Sequence, residues 1–137
     1  MKPSTAKIPK SRNSPDPLRG EIWWVNFDPS LGEEIRKLRP ALVVGLNELG
    51  RTGLRIIVPV TKDKGRYRKA PWFFRLRATK GNSLTVDSEV DASQVKSISV
   101  QRFNGRIGTV TATQLSEIVE GIALCVGYEC PICQKES

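Results

Sequence analysis

The sequence predicts a mainly β fold of the α+β class: a small, strongly bent sheet or barrel closed by one helix near the C-terminus. Three observations predict it. Short apolar runs of strand length recur along most of the chain, separated by turn residues. Only one stretch, close to the end, has helical periodicity. A length of 137 residues suits one domain with tails.

Residues 1–18 are rich in Pro, Ser, Lys and Arg and offer almost nothing to bury, which predicts a disordered basic arm. The folded domain is expected over 19–128, with a flexible tail at 129–137. Residues 22–27 (IWWVNF) alternate and are aromatic and branched, which predicts a strand. Trp23, Val25 and Phe27 share one face, Ile22 and Trp24 the other, and both tryptophans are expected in the core. A long loop is expected from Asp28 to Pro40. The runs at 41–46 and 54–60 predict adjacent, largely buried strands, separated by turn material containing Gly50 and Gly53. After a basic loop at 61–71, residues 72–77 alternate, with Trp72, Phe74 and Leu76 inward and Phe73, Arg75 and Arg77 outward. A turn at Lys80-Gly81-Asn82 leads to weaker strands near 83–90 and 93–100. The helix is marked by Leu115, Ile118, Val119, Ile122, Ala123 and Val126, with Thr111 and Gln114 as a capping box and Gly127 as the stop.

Lys and Arg number 22 against 14 Asp and Glu, a net charge of +8, which favours a polyanionic partner. Histidine is absent, so mechanisms built on a histidine pair or a Ser–His–Asp triad are excluded. No apolar run has the length of a signal peptide core or of a membrane span, so a cytoplasmic protein without membrane contact is expected. The cysteines (Cys125, Cys130, Cys133) crowd the end and form no disulfide framework. Cys130 and Cys133 make a lone C-x-x-C, too few ligands for zinc without a histidine, and no metal or cofactor is expected.

Three segments together resemble the MazF/PemK toxins. They are R-G-E-I-W-W-V-N-F-D-P-S-L-G-E-E at 19–34 followed by R-P-A-L-V-V at 39–44; V-P-V-T at 58–61; and A-S-Q-V-K-S-I at 92–98. Order and spacing match from residue 19 to about 127. The resemblance implies an SH3-like small barrel that dimerises, with single-stranded RNA bound in a cleft across the dimer. It implies metal-independent, sequence-specific cleavage of mRNA and silencing by a cognate antitoxin, with operator DNA bound only through the antitoxin complex.

By the family's pattern Arg39 and Thr61 are the catalytic candidates. Pro40 keeps Arg39 extended, at the rim of the strand 41–46, and Thr61 closes the next strand, so the two are expected side by side. A guanidinium fork and a hydroxyl suit the charge that gathers on phosphate oxygens when a ribose 2′-hydroxyl attacks the adjacent phosphate. Arginine is a poor general base, and Glu34 is the nearby family-matching carboxylate for the proton. Lys62, Lys64, Arg66, Arg68 and Lys69, with Tyr67 among them, suit single-stranded RNA, and Arg75 and Arg77 extend that surface. Gln94 completes the RNA-binding candidates from the third segment. The family usually has an acidic residue just before that glutamine, where this chain has Ser93; acids lie nearby at Asp87, Glu89 and Asp91.

Three rivals remain open at this point. The same barrel resembles the CcdB toxins, which act on DNA gyrase by protein contact. A general nucleic-acid-binding SH3-like module would bind RNA and DNA alike without cutting. A redox or metal protein would be built on Cys130 and Cys133.

Overall fold

Alternating side chains make the nine residues Leu54–Lys62 serve two apolar layers at once, and the other strands assemble on both edges of that run. The computed structural model describes residues 15–29, 31–34 and 37–128. The tail 129–137, with Cys130 and Cys133, and the expected disorder of residues 1–14 lie outside the described residues. Among the described residues the strands are β1 (Glu21–Asn26), β2 (Leu38–Val43), β3 (Leu54–Lys62), β4 (Phe73–Leu76), β5 (Ser88–Asp91), β6 (Lys96–Ser99) and β7 (Phe103–Thr109), followed by helix α1 (Ala112–Cys125). All pairings are antiparallel, in the order β4-β5-β3-β2-β1-β7, with β6 also on β3. The fold is therefore mainly β with one C-terminal helix, as the sequence predicts.

One apolar layer contains Ile22, Leu42, Val44, Val58, Val60, Leu76, Val90 and Ile118, so α1 lies over it through Ile118. The other contains Val25, Phe27, Ala41, Val43, Ile57, Ile98 and Phe103. Neighbouring residues of one strand enter different layers because strand side chains alternate. The helix begins at a complete capping box between Thr111 and Gln114 and ends before Gly127, whose φ is 77°.

Several expectations need correction. β2 begins at Leu38, so Arg39 and Pro40 lie inside a strand and not at the end of a long loop. Pairing with β3 starts only at Ala41, while Pro40 is opposite Trp24 of β1. The missing N–H of Pro40 therefore falls where no β3 partner waits. β7 was not foreseen, because Asn104, Gly105, Arg106 and Gly108 hide its pattern; register shifts interrupt its pairing with β1. The weak strands near 83–90 and 93–100 shrink to β5 and β6, with a 3-10 turn at Ala92–Gln94 between them. Trp24 is 41% exposed, while Ile22 on the same face is buried in the layer that Ile118 of α1 joins. Trp23 is half-buried, edge-on to Phe103 with ring centroids 5.9 Å apart. Trp72 precedes β4 and is exposed, and Val126 lies past the end of α1 and is exposed too.

Residues 15–18 are held against the body. Arg55 is buried on β3, and its guanidinium donates to the Pro17 carbonyl at 2.8 Å and pairs with Asp16 at 3.1 Å. It also reaches the carbonyls of Gly50 and Leu54, so every nitrogen of this buried charge has a partner.

Gly108 marks the tightest approach to β7. A Cβ there would lie 2.4 Å from the Asn82 carbonyl oxygen, which is backbone and cannot swing aside. Gly108→Ala is expected to lower stability by about 1–3 kcal/mol, read in urea unfolding as a lower midpoint with an unchanged slope.

Candidate active site

The centre of the site is set by one strand pairing. Thr61 on β3 stands opposite Glu89 on β5, so both side chains lie on the same face. Glu89 is completely buried, and a bare carboxylate there would be very costly. The loop after β3 folds back over it. Arg66 Nε donates to Glu89 Oε2 at 2.9 Å, the Tyr67 backbone N–H donates to Oε1 at 3.1 Å, and the Lys64 backbone bonds the same carboxylate. Burial pushes the Glu89 carboxyl up. The Arg66 guanidinium and the two backbone donors outweigh that push and hold it below its ordinary value. Arg66 also donates through Nη2 to Thr61 Oγ1 at 2.7 Å and lies 4.8 Å from the centroid of Phe73. One guanidinium thus joins the buried acid to the threonine.

A second group of charges packs beside the first. Arg75 on β4 lies 3.0 Å from Asp63 and 3.5 Å from Asp87. Two cations lie near the Tyr67 ring, Arg68 at 5.3 Å and Arg75 at 5.4 Å from its centroid. Asp63 also accepts from the Gly65 N–H at 2.8 Å, where φ is 76°, so the acid shapes the turn that carries Arg66 and Tyr67.

The structure brings Thr61, Arg66, Tyr67, Arg68 and Arg75 into one cluster. Arg39 is exposed on β2, paired with Val25 of β1. The β2–β3 register ends at Ala41 opposite Pro59, two residues short of Arg39 and Thr61, so the strands run these two toward each other past the last ladder pair. Lys62, Lys64 and Lys69 are exposed around the cluster, and Arg77 is exposed just past β4. Glu34 is exposed on the β1–β2 loop, where its Oε1 accepts from the Leu31 N–H at 2.6 Å. Gln94 sits in the 3-10 turn after β5, its Nε2 donating to Asp91 Oδ2 at 3.1 Å. Asp91 also accepts from the backbone and hydroxyl of Ser93. The carboxylate beside Gln94 is therefore supplied two residues before Ser93.

Glu89 is the residue that sequence reasoning passed over as one nearby acid among three. It lies between Ser88 and Val90 in a short strand whose four residues are all buried, a burial that the polar sequence of that strand does not announce. Arg66 and Arg75 were expected as open basic surface, yet both are engaged with acids of the protein itself.

Because its carboxyl is lowered on folding, Glu89 contributes stability that is present above the ordinary carboxylate value of 4.5 and lost as pH falls through the folded value. Urea unfolding at about pH 6 and about pH 3 is expected to show a smaller loss for Glu89→Gln than for the wild type. Equal losses in the two proteins would exclude this contribution.

Relatives share this architecture. The family model described as PemK-like, MazF-like toxin of type II toxin-antitoxin system matches residues 18–126. The endoribonuclease MazF9 of Mycobacterium tuberculosis is 36% identical over 112 residues, which span 77% of this chain and 92% of that protein. A crystal structure of MazF from Deinococcus radiodurans superposes with a TM-score of 0.69 at 31% identity, covering 81% of this chain and 96% of that one. A MazE–MazF crystal structure from the same organism gives 0.62 at 27% identity, covering 82% and 97%. With more than half of its length matched by the family model, and with a strand order and closing helix that fit these structures, the chain belongs to the PemK/MazF family of type II toxins.

Proposed function

We propose that this chain is a sequence-specific endoribonuclease that cuts single-stranded mRNA without a metal, leaving 2′,3′-cyclic phosphate and 5′-hydroxyl ends. The observation that supports this most directly is the β2–β3 register, whose last pair, Ala41 with Pro59, leaves Arg39 and Thr61 two residues beyond it at the same end of the strand pair, beside the exposed Lys62, Lys64 and Lys69. The names of the relatives, endoribonucleases among them, support the reaction class.

In the reaction the ribose 2′-oxygen bonds to phosphorus as the bond from phosphorus to the 5′-oxygen breaks. The 2′-hydroxyl proton passes to a base, and the departing 5′-oxygen takes a proton from water. Charge gathers on the non-bridging phosphate oxygens, where the Arg39 fork and the Thr61 hydroxyl donate. Glu34 takes the 2′ proton, since an arginine holds its own too tightly. Lys62, Lys64, Arg68, Lys69 and Arg77 hold neighbouring phosphates, and Gln94, fixed by Asp91, contacts the RNA. Arg66, Tyr67 and Arg75 reach the RNA only through the parts their internal partners leave open.

The working species is a homodimer in the cytoplasm with the RNA cleft across its two copies. A cognate antitoxin is the partner, which the MazE–MazF relative supports; it fills that cleft, and operator DNA is bound only through the toxin–antitoxin complex.

The test is cleavage of a long single-stranded RNA with EDTA present. Wild type is expected to give discrete fragments with 5′-hydroxyl ends, and Arg39→Ala to cut at least about a hundredfold more slowly. Intact RNA with folded wild-type protein would move the assignment to a toxin acting by protein contact, with gyrase tested next. Glu34→Gln at an unchanged single-turnover rate would remove Glu34 as the base.

A further inference from the structure

Thr61 has one hydroxyl, and its orientation decides whether it can serve a phosphate. A free threonine hydroxyl rotates and offers its proton in several directions. Here the direction is constrained, because Arg66 Nη2 donates into Thr61 Oγ1 at 2.7 Å. A guanidinium has no acceptor, so the Thr61 proton cannot point back at Arg66 and must be offered elsewhere. Arg66 in turn is fixed by Glu89 at 2.9 Å and rests on Phe73. Glu89 cannot drift, being fully buried, opposite Thr61 in the strand register and held by the backbone of Lys64 and Tyr67.

We infer that Arg66 and Glu89 form a positioning relay that aims the Thr61 hydroxyl at the scissile phosphate. The inference rests on the proposed ribonuclease function and reassigns Arg66 from a phosphate contact to a residue acting through Thr61. No proton leaves Thr61 in this role: its O–H donates a hydrogen bond to a non-bridging oxygen, and the bonds made and broken at phosphorus are unchanged. A guanidinium is required because it reaches an acid and a hydroxyl from different nitrogens of one rigid plane, which an ammonium cannot do. The loop that presents Arg66 is itself fixed by Asp63 on the Gly65 N–H, so the relay has a stable base.

A plain phosphate contact and a positioning role separate cleanly in a mutant cycle. Single-turnover cleavage and RNA affinity are measured for wild type, Arg66→Ala, Thr61→Ala and the double variant, with Arg39→Ala as reference. The relay predicts that Arg66→Ala slows cleavage by about ten- to a hundredfold with RNA affinity changed by less than about threefold. In the Thr61→Ala background the same change is expected to have no further effect on the rate. Added guanidinium ion is expected to restore part of the rate to Arg66→Ala and none to the double variant. If Arg66→Ala unfolds below the assay temperature, Arg66→Lys replaces it, with the same non-additivity expected.

A loss confined to affinity, or an equal slowing in both backgrounds, would overturn the relay while leaving the ribonuclease assignment in place. If both Arg39→Ala and Thr61→Ala cut at the wild-type rate, the site assignment fails and the relay falls with it.

Discussion

β3 is the constraint under which everything else forms. It pairs with β2 along one edge and with both β6 and β5 along the other, and its alternating residues supply both apolar layers. A strand so engaged cannot slip by one residue, because a slip would exchange the two faces along its whole length. The far end of that strand carries Thr61. Its position is therefore fixed by packing at Ile57, Val58 and Val60, residues with no part in the chemistry.

A buried carboxylate beneath a basic loop is a risk for so small a protein. Glu89 offers little to stability as an ion pair alone, since desolvation offsets much of the attraction. What it does is organise: three donors converge on it from Lys64, Arg66 and Tyr67, and together with Asp63 on the Gly65 N–H they give the loop one shape. Its exposed lysines then have a defined place around the cluster.

Apolar pattern made much of this legible in advance. The runs in β1, β3 and β4 and the stripe of α1 announce themselves because their alternation or periodicity is clean, and the capping box at Thr111 was readable from two residues. β7 was not legible, since an edge strand with two glycines and polar residues needs only a partner, β1, and no pattern of its own. The exposure of Trp24 depends on which side chains pack over its face from elsewhere in the chain, which no local window contains. At the site, Arg39 and Thr61 were visible through family motifs. The pairing of Arg66 with Glu89 was not, because it joins residues 23 positions apart through a turn whose shape depends on Asp63.

The two members of that pair differ in how far water can reach them: Arg66 keeps 36% of its side chain exposed, and Glu89 none. Loss of Glu89 to a neutral amide leaves a cation that solvent can still hydrate. Loss of Arg66 leaves a recessed anion held only by the backbone donors of Lys64 and Tyr67. As far as stability governs it, the two first steps away from this pair are therefore unequal: replacing Glu89 by a neutral amide costs less than removing Arg66.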